Sequence, residues 1–171
     1  MEIVIRPATP DDAAATERIE IAADALLVDH FGAVDWPPPT PAVERDSWPG
    51  FVLVAEHTDN AAAEAPVVGF AHVLEIDGHA HLKQLSVLPS HGRRGIGRQL
   101  LEAALTEARH RGYEEITLRT YVDVPWNAAF YSSCGFVVSD PDTPLLRKLV
   151  KVESELGLFE YGPRVQMTAS L

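Results

Sequence analysis

Leu85-Ser86-Val87-Leu88-Pro89-Ser90-His91-Gly92-Arg93-Arg94-Gly95-Ile96-Gly97-Arg98-Gln99-Leu100-Leu101 is the stretch on which the fold and the function of this protein turn. It passes from an apolar, strand-like run through a proline into a basic, glycine-rich turn. Beyond the turn, Ile96, Leu100, Leu101, Ala104, Leu105 and Ala108 fall on one face of a helix that Gly112 ends. Glycine lets the backbone approach a ligand closely, because no Cβ stands in the way. The first turn of a helix leaves its N–H groups without intrahelical acceptors and carries the positive end of the dipole, so this arrangement makes a seat for a phosphate. Arg93, Arg94 and Arg98 add positive charge. A turn with a solvated basic edge is the bland alternative.

Working outward, residues 2–6 alternate as a short strand, and Thr9-Pro10-Asp11-Asp12 starts a helix that fails near Phe31-Gly32. The proline run from Trp36 to Pro41 is a stiff connection, followed by a short helix over Ala42–Trp48. Phe51–Ala55 is a buried type of strand, and 57–65 a loose surface turn. Val67–Ile76 and His79–Val87 are two strands joined at Asp77-Gly78, a strong hairpin signal. After the long helix come a strand over Glu114–Tyr121, a short helix over Pro125–Cys134 with Asp123 as N-cap, and a strand at Phe136–Val138. A helix around Leu145–Val150 and a strand at Val165–Thr168 complete the sequence. The order β-α-α-β-β-β-α-β-α-β-α-β predicts one mixed α/β domain.

The 171 residues suit one domain with a full core, and 14 Lys+Arg against 25 Asp+Glu give a net charge of −11. The acidity is lopsided: residues 1–64 hold 13 acids and three bases, the remainder 12 and 11. A negative front half repels nucleic-acid phosphates and draws in cations, or simply keeps the protein soluble. The single cysteine, Cys134, leaves no intramolecular disulfide and fits a reducing compartment. No apolar run approaches the ~18 residues of a membrane span, and Met1–Pro7 has no signal-peptide character, so a cytoplasmic location is expected. His79 and His81 form a His-x-His pair without accompanying ligands, and no metal is expected.

Two phosphate-binding patterns fit poorly. Gly92 and Gly97 have the separation of a Walker A loop, but Arg98-Gln99 follow where lysine and a hydroxyl residue are needed. A Rossmann turn would place glycine or alanine where Leu100 stands. The stretch instead resembles the GNAT superfamily of N-acetyltransferases, whose signature is an apolar strand ending Val-x-Pro, then Gln/Arg-x-x-Gly-x-Gly/Ala opening a helix. Gly95 and Gly97 are the signature glycines, while Gly92 replaces the first Gln/Arg and removes the contact its side group would make. Tyr131-Ser132-Ser133-Cys134-Gly135-Phe136 is similar to the Tyr-x-x-x-Gly-Phe segment of the family, and the element order agrees over essentially the whole length.

The resemblance implies a single-domain GNAT-like fold, a central mixed, splayed sheet flanked by helices. Residues 1–64 would form the acceptor-side half, 65–138 the acetyl-CoA-binding core and 139–171 a C-terminal helix and strand. It implies acetyl-CoA as co-substrate, its pantetheine arm on the backbone of Leu85, Ser86 and Val87. The N–H groups of Arg93, Arg94, Gly95, Ile96, Gly97 and Arg98 would hold the pyrophosphate, and Asn127 would reach the same ligand from a helix start. The acceptor amine would attack the thioester directly, which calls for a base, a polarised carbonyl and an acid for the leaving thiolate. Tyr131 matches the family's acid position. For the base, no acid follows Asp77 on the strand before the turn, and Lys83 and Gln84 stand where acids are frequent. His81 is the candidate, as in arylalkylamine acetyltransferases, with Glu75 and His72 in reserve; alternation places it on the face of Lys83, Leu85 and Val87.

The expected function is N-acetyltransfer from acetyl-CoA to a primary amine of a small molecule or peptide. Asp24, Asp29, Asp35 and Trp36 favour a cationic acceptor, neither nucleic acid nor membrane is a partner, and homodimerisation is left open. A non-catalytic CoA-binding module of the same fold, or another nucleotide binder using the same turn, are the alternatives.

Overall fold

A computed structural model describes residues 2–58 and 66–171. In sequence order the elements are β1 (Ile3–Pro7), α1 (Ala13–Phe31), α2 (Ala42–Ser47), β2 (Gly50–His57), β3 (Val67–Ile76) and β4 (His79–Val87). Then come α3 (Ile96–His110), β5 (Glu115–Tyr121), α4 (Ala128–Ser133), β6 (Val137–Ser139), α5 (Pro144–Glu155) and β7 (Arg164–Ser170). Residues 59–65 of the expected surface turn lie outside the described residues, and His57 belongs to β2 rather than to that turn.

The strands form one seven-stranded sheet in the order β1-β2-β3-β4-β5-β7-β6. Every neighbouring pair is antiparallel except β4 and β5, which the α3 crossover makes parallel. The hairpin at Asp77-Gly78 has positive φ at both residues, 52° and 77°, the hand that suits the strand twist. Helices cover both faces. The apolar stripe of α3 (Ile96, Leu100, Leu101, Ala104, Ala108) is buried against Ala71, Val73, Leu82, Ile116, Leu118 and Met167. On the opposite face, Ile19 of α1 packs with Val54, Val67 and Phe70. At about 25 cal/mol per Å² of apolar surface removed from water, each of these larger residues contributes roughly 1.5–3 kcal/mol.

Two local features of β4 set the geometry of the sheet centre. Parallel pairing of β4 with β5 covers only Ala80↔Ile116, His81↔Thr117 and Leu82↔Leu118. Beyond it the strands separate, β4 staying with β3 through Val87 and β5 with β7 through Tyr121. The second feature corrects the expected strand face. The β3–β4 ladder pairs Val73 with Leu82 but His72 with Gln84, so Lys83 is the extra residue of a β-bulge. The bulge resets the alternation: Ala80 and Leu82 share the α3 face with Leu85 and Val87, while His81 turns to the α1 face with Gln84 and Ser86.

The helix expected over Pro125–Cys134 starts only at Ala128, with Asn127 and not Asp123 at its N-cap. Pro125 disfavours helical φ/ψ at Val124, and the N–H of Asn127 closes a turn on the Val124 carbonyl instead (3.1 Å). A 3₁₀ turn at Leu158–Tyr161, between α5 and β7, has no counterpart in the sequence expectation.

Candidate active site

The glycine turn begins with a 3₁₀ turn at Pro89–His91 and enters α3 through Gly95, whose φ of 79° is left-handed. Arg93 is also left-handed at 60°. Residues of alternating hand turn successive N–H groups toward one concave point. The first backbone bond of α3 is Gln99 N–H to Gly95 C=O, 3.0 Å. The N–H groups of Arg93, Gly95, Ile96, Gly97 and Arg98 donate to no acceptor among the described residues. A Cβ on Gly97 would come within 3.8 Å of both Phe130 and Val87, so Gly97 lies where the end of β4, the start of α3 and α4 meet. The Arg98 guanidinium is turned away, donating to Ser133 Oγ of α4 (2.9 Å). A row of backbone donors at a helix start is chemistry for an anion.

The turn opens onto the space between β4 and β5. Leu88 N–H donates to Val68 C=O (2.8 Å), and by alternation the backbone of Ser86 also faces β3 while that of Leu85 and Val87 faces the gap. Ser86 Oγ accepts from Gln84 Nε2 (2.8 Å). From Val87 to Lys83 the gap runs roughly 13 Å at strand rise, and it closes where Leu82 pairs with Leu118.

Tyr131 projects from α4, edge-on to Phe130 (5.2 Å) and Phe136 (5.8 Å), against the α3-side core. Burial raises its phenol pKa, with Cys134 adding to the shift, so the ring is a proton donor across the neutral range. Among the described residues its hydroxyl makes no hydrogen bond. Asn127 stands one helical turn earlier, its backbone C=O accepting from Tyr131 N–H (3.1 Å). Trp126 is half exposed and meets His30 edge-on (5.3 Å).

The candidate bases are less well placed. His81 is 5% exposed, with Nδ1 2.7 Å from Thr117 Oγ1. Burial, then the charges of Lys83 and Arg119, push its pKa down to about 3. It is therefore neutral and a weak acceptor of protons, and its bond to Thr117 ties β4 to β5 at the closed end of the gap. His72 is equally buried and likewise pushed to about 3, by burial and then by Arg45 and Lys83. Glu75 lies near the hairpin end of β3, bound to Arg111 Nη1 (2.8 Å), away from the glycine turn. Lys83 stands over the Trp48 ring (4.8 Å), its pKa lowered by burial. Among the described residues no group of three or more His, Cys, Asp or Glu is placed to hold a metal ion.

The other wall comes from α1, which crosses the sheet: Ile19 packs on Phe70 of β3, and Phe31 meets Tyr121 at the end of β5 (4.9 Å). Glu20 and Asp24 lie between, one turn apart; burial raises both carboxyl pKa values. Glu20 pairs with Arg45, and Trp36 Nε1 approaches Asp24 at 3.4 Å. Phe31, Trp36, Tyr121 and Tyr161 form an aromatic cluster at the far side. Of this wall, only Asp24 and Trp36 stand out in the sequence. Tyr121 and Tyr161 sit far apart in it, and the one available signal is the Gly157–Gly162 bracket around an aromatic run.

The sequence model of the Acetyltransferase (GNAT) family matches residues 19–136, which hold α3, its glycine turn and Tyr131. The chain belongs to that family. Acetyl-CoA is the family's acetyl donor. A curated relative is the uncharacterized N-acetyltransferase YsnE of Bacillus subtilis, 32% identical over 78 residues. That match takes in 44% of this chain and 52% of YsnE, so the chain spans about half the length of this relative. Solved structures agree in fold over nearly the full length. The ribosomal-protein-S18-alanine N-acetyltransferase of Escherichia coli superposes with a TM-score of 0.71 at 19% identity, over 99% of this chain and 94% of that one. A GNAT-family acetyltransferase of Staphylococcus aureus gives 0.72 at 16%, over 99% of each protein. The PaiA N-acetyltransferase of Thermoplasma acidophilum, in complex with coenzyme A, gives 0.67 at 19% over 100% of both. Among the described residues no helix is long and apolar enough to cross a membrane.

Proposed function

We propose that this protein moves the acetyl group of acetyl-CoA directly to a primary amine. The observation that carries this reading is the row of unsatisfied N–H groups at the start of α3, opening onto the β4–β5 gap in a member of the GNAT family. Acetyl-CoA supplies the activated thioester. The Arg93–Arg98 turn holds the diphosphate through backbone N–H groups, and the backbone of Leu85 and Val87 pairs with the amides of the pantetheine arm. Asn127 reaches the same ligand from the start of α4. An amine nitrogen, its ammonium proton lost to water, bonds to the carbonyl carbon, and the C–S bond breaks. Tyr131 donates its phenolic proton to the leaving sulfur, and the second N–H proton, released as the amide forms, restores the phenol through water.

His81 acts as a positioning residue that fixes the closed end of the gap through Thr117, and no longer as the first candidate for base. A free alkylamine has a pKa near ~10 and arrives as an ammonium. Asp24, set in a partly desolvated wall beside Trp36, supplies the carboxylate that receives it. The acidic front half steers such cations, which favours a small cationic amine or a peptide amine over nucleic acid. The lone Cys134 suits the reducing cytoplasm.

Calorimetry with acetyl-CoA, CoA and ATP tests the seat, and thiol release across a panel of amines tests the transfer. Acetyl-CoA and CoA should bind and ATP should not, with thiol released for at least one amine. Preference for ATP removes the proposal. Binding of acetyl-CoA without thiol release for any amine replaces it with a non-catalytic CoA-binding module.

A further inference from the structure

The α1 face holds a second concavity that acetyl transfer does not use. It is a cleft of about 340 Å³ between the Pro7–Pro10 segment, α2 and the start of β2, with His72 and Arg45 among its lining residues. Pro10, Val52 and Trp48 are among its apolar lining residues. Arg45 and His72 are each only 2% exposed.

Arg45 is incompletely satisfied. Its Nη2 donates to the Glu20 carboxylate and to Thr40 C=O (3.3 Å), and its guanidinium lies 4.5 Å over the Phe70 ring. Its Nη1 is buried with no hydrogen-bond partner among the described residues. A buried guanidinium N–H without an acceptor is unfavourable, and a ligand oxygen relieves it. His72, neutral and stacked on Trp48 (5.9 Å), offers a further ring nitrogen, and Lys83 also stands over the Trp48 ring. Glu20 already occupies one edge of the guanidinium, and exposed Asp46 lines the cleft. A doubly charged phosphate would meet both acids, whereas a monoanion needs only the remaining edge.

The geometry points to a binding site for a small organic carboxylate, its oxygens on Arg45 Nη1 and its apolar part against Pro10, Trp48 and Val52. The volume is at the small end of ligand pockets, which suits an acid of a few carbons or one ring. The site does not depend on the acetyl-transfer proposal.

The test titrates the full-length protein with propionate and benzoate, and with benzamide as the uncharged match in shape. Binding is followed by calorimetry and by the indole N–H resonances of the three tryptophans. A carboxylate should saturate a shift at Trp48 and leave Trp126 unmoved, with benzamide at least tenfold weaker. Arg45→Met combined with Glu20→Gln removes the donor without stranding a buried charge, and should weaken benzoate tenfold or more. Asp46→Asn, on an exposed residue, keeps the test decisive if that pair of changes does not fold, and should tighten benzoate two- to threefold. Equal binding of benzoate and benzamide, no saturable binding, or unchanged affinity in these variants overturns the site. Competition between benzoate and CoA would place the acid in the gap and overturn it as well.

Discussion

Replacing Gly97 by alanine and, separately, by aspartate distinguishes what the fold wants at this position from what a ligand wants. Gly97 is the second residue of α3, and a Cβ there would meet nothing closer than Phe130 Cζ and Val87 Cγ2, both at 3.8 Å. That is ordinary contact, so the fold accepts the methyl. Alanine is favoured over glycine in a helix by roughly 0.5–1 kcal/mol, with the lower figure suiting a first turn. For a protein of this size ~0.5 kcal/mol raises the unfolding midpoint by roughly 1–2 °C. The same methyl stands between Val87 and Phe130, beside the unpaired N–H groups that the proposal gives to the diphosphate. The family signature admits alanine here, so Gly97→Ala should keep CoA affinity, whereas Gly97→Asp sets a carboxylate beside the diphosphate. Losing one hydrogen bond to a charged oxygen costs about 1.5–3 kcal/mol, ~10- to 150-fold in CoA affinity. Thermal unfolding and calorimetry with CoA on the same preparation give both numbers. A folded Gly97→Asp variant that binds CoA as tightly as the parent would show that the diphosphate does not sit on this turn.

Tyr131→Phe should leave stability within ~0.5 kcal/mol, since no hydrogen bond of the hydroxyl is lost, and lower turnover by roughly 10²- to 10⁴-fold with CoA affinity unchanged. Unchanged turnover clears Tyr131 of the acid role. Glu153, buried between Arg119 (2.7 Å) and Arg164 (2.6 Å), holds β5, α5 and β7 together. Glu153→Gln should cost about 3–5 kcal/mol and lower the unfolding midpoint by roughly 6–20 °C, and a shift under about 2 °C contradicts this. His81 and His72 have folded pKa values of about 3 against 6.5 for the free imidazole, so the folded state binds fewer protons below pH 6.5. Their neutral burial stabilises fully above that pH and is lost as pH falls toward 3. By pH 5 each should remove about 2 kcal/mol, partly offset by Glu20 and Asp24, whose raised pKa values act in the opposite sense. Urea unfolding at pH 7.5 and 5 should therefore show a shallower loss in His81→Asn than in the parent, and parallel losses refute it.

Much of the fold was legible because its signals are local. The Asp77-Gly78 turn, the α3 stripe and the left-handed Gly32 after α1 each state their element within a few residues. The expectation fails where a tertiary partner decides. Pro125 looks like the first residue of a helix, yet the segment up to Asn127 is held in a turn. Residues 158–161 carry no period at all: Tyr161 meets Phe31 of α1 and Trp36 of the proline-rich connection, and the Leu158 C=O accepts from the Tyr121 hydroxyl of β5 (2.8 Å). The expected strand face of His81 differs for a related reason. Strict alternation gives His81 the face of Leu85 and Val87, but one unpaired residue, Lys83, moves it to the opposite face and into contact with Thr117. A bulge has no reliable sequence mark, and Lys83 is an ordinary residue to find at a strand surface.

That bulge lies next to the last position at which β4 pairs with β5, and the coincidence bears on function. A regular β4 could have continued its ladder along β5 and satisfied its second edge. Instead the backbone of Leu85 and Val87 faces a gap, and a few residues later the N–H groups of Arg93, Gly95, Ile96, Gly97 and Arg98 also donate to no acceptor among the described residues. Unpaired backbone groups inside a sheet are unfavourable unless water or a ligand takes them. Here they follow one line, from the apex beside Lys83 to the mouth between Val87 and Phe130. An extended arm with amides along its length and a diphosphate at its end has donors and acceptors in that same order. The proposed site is thus written mostly in backbone, and two glycines and their spacing point to it more directly than any titratable residue in the protein.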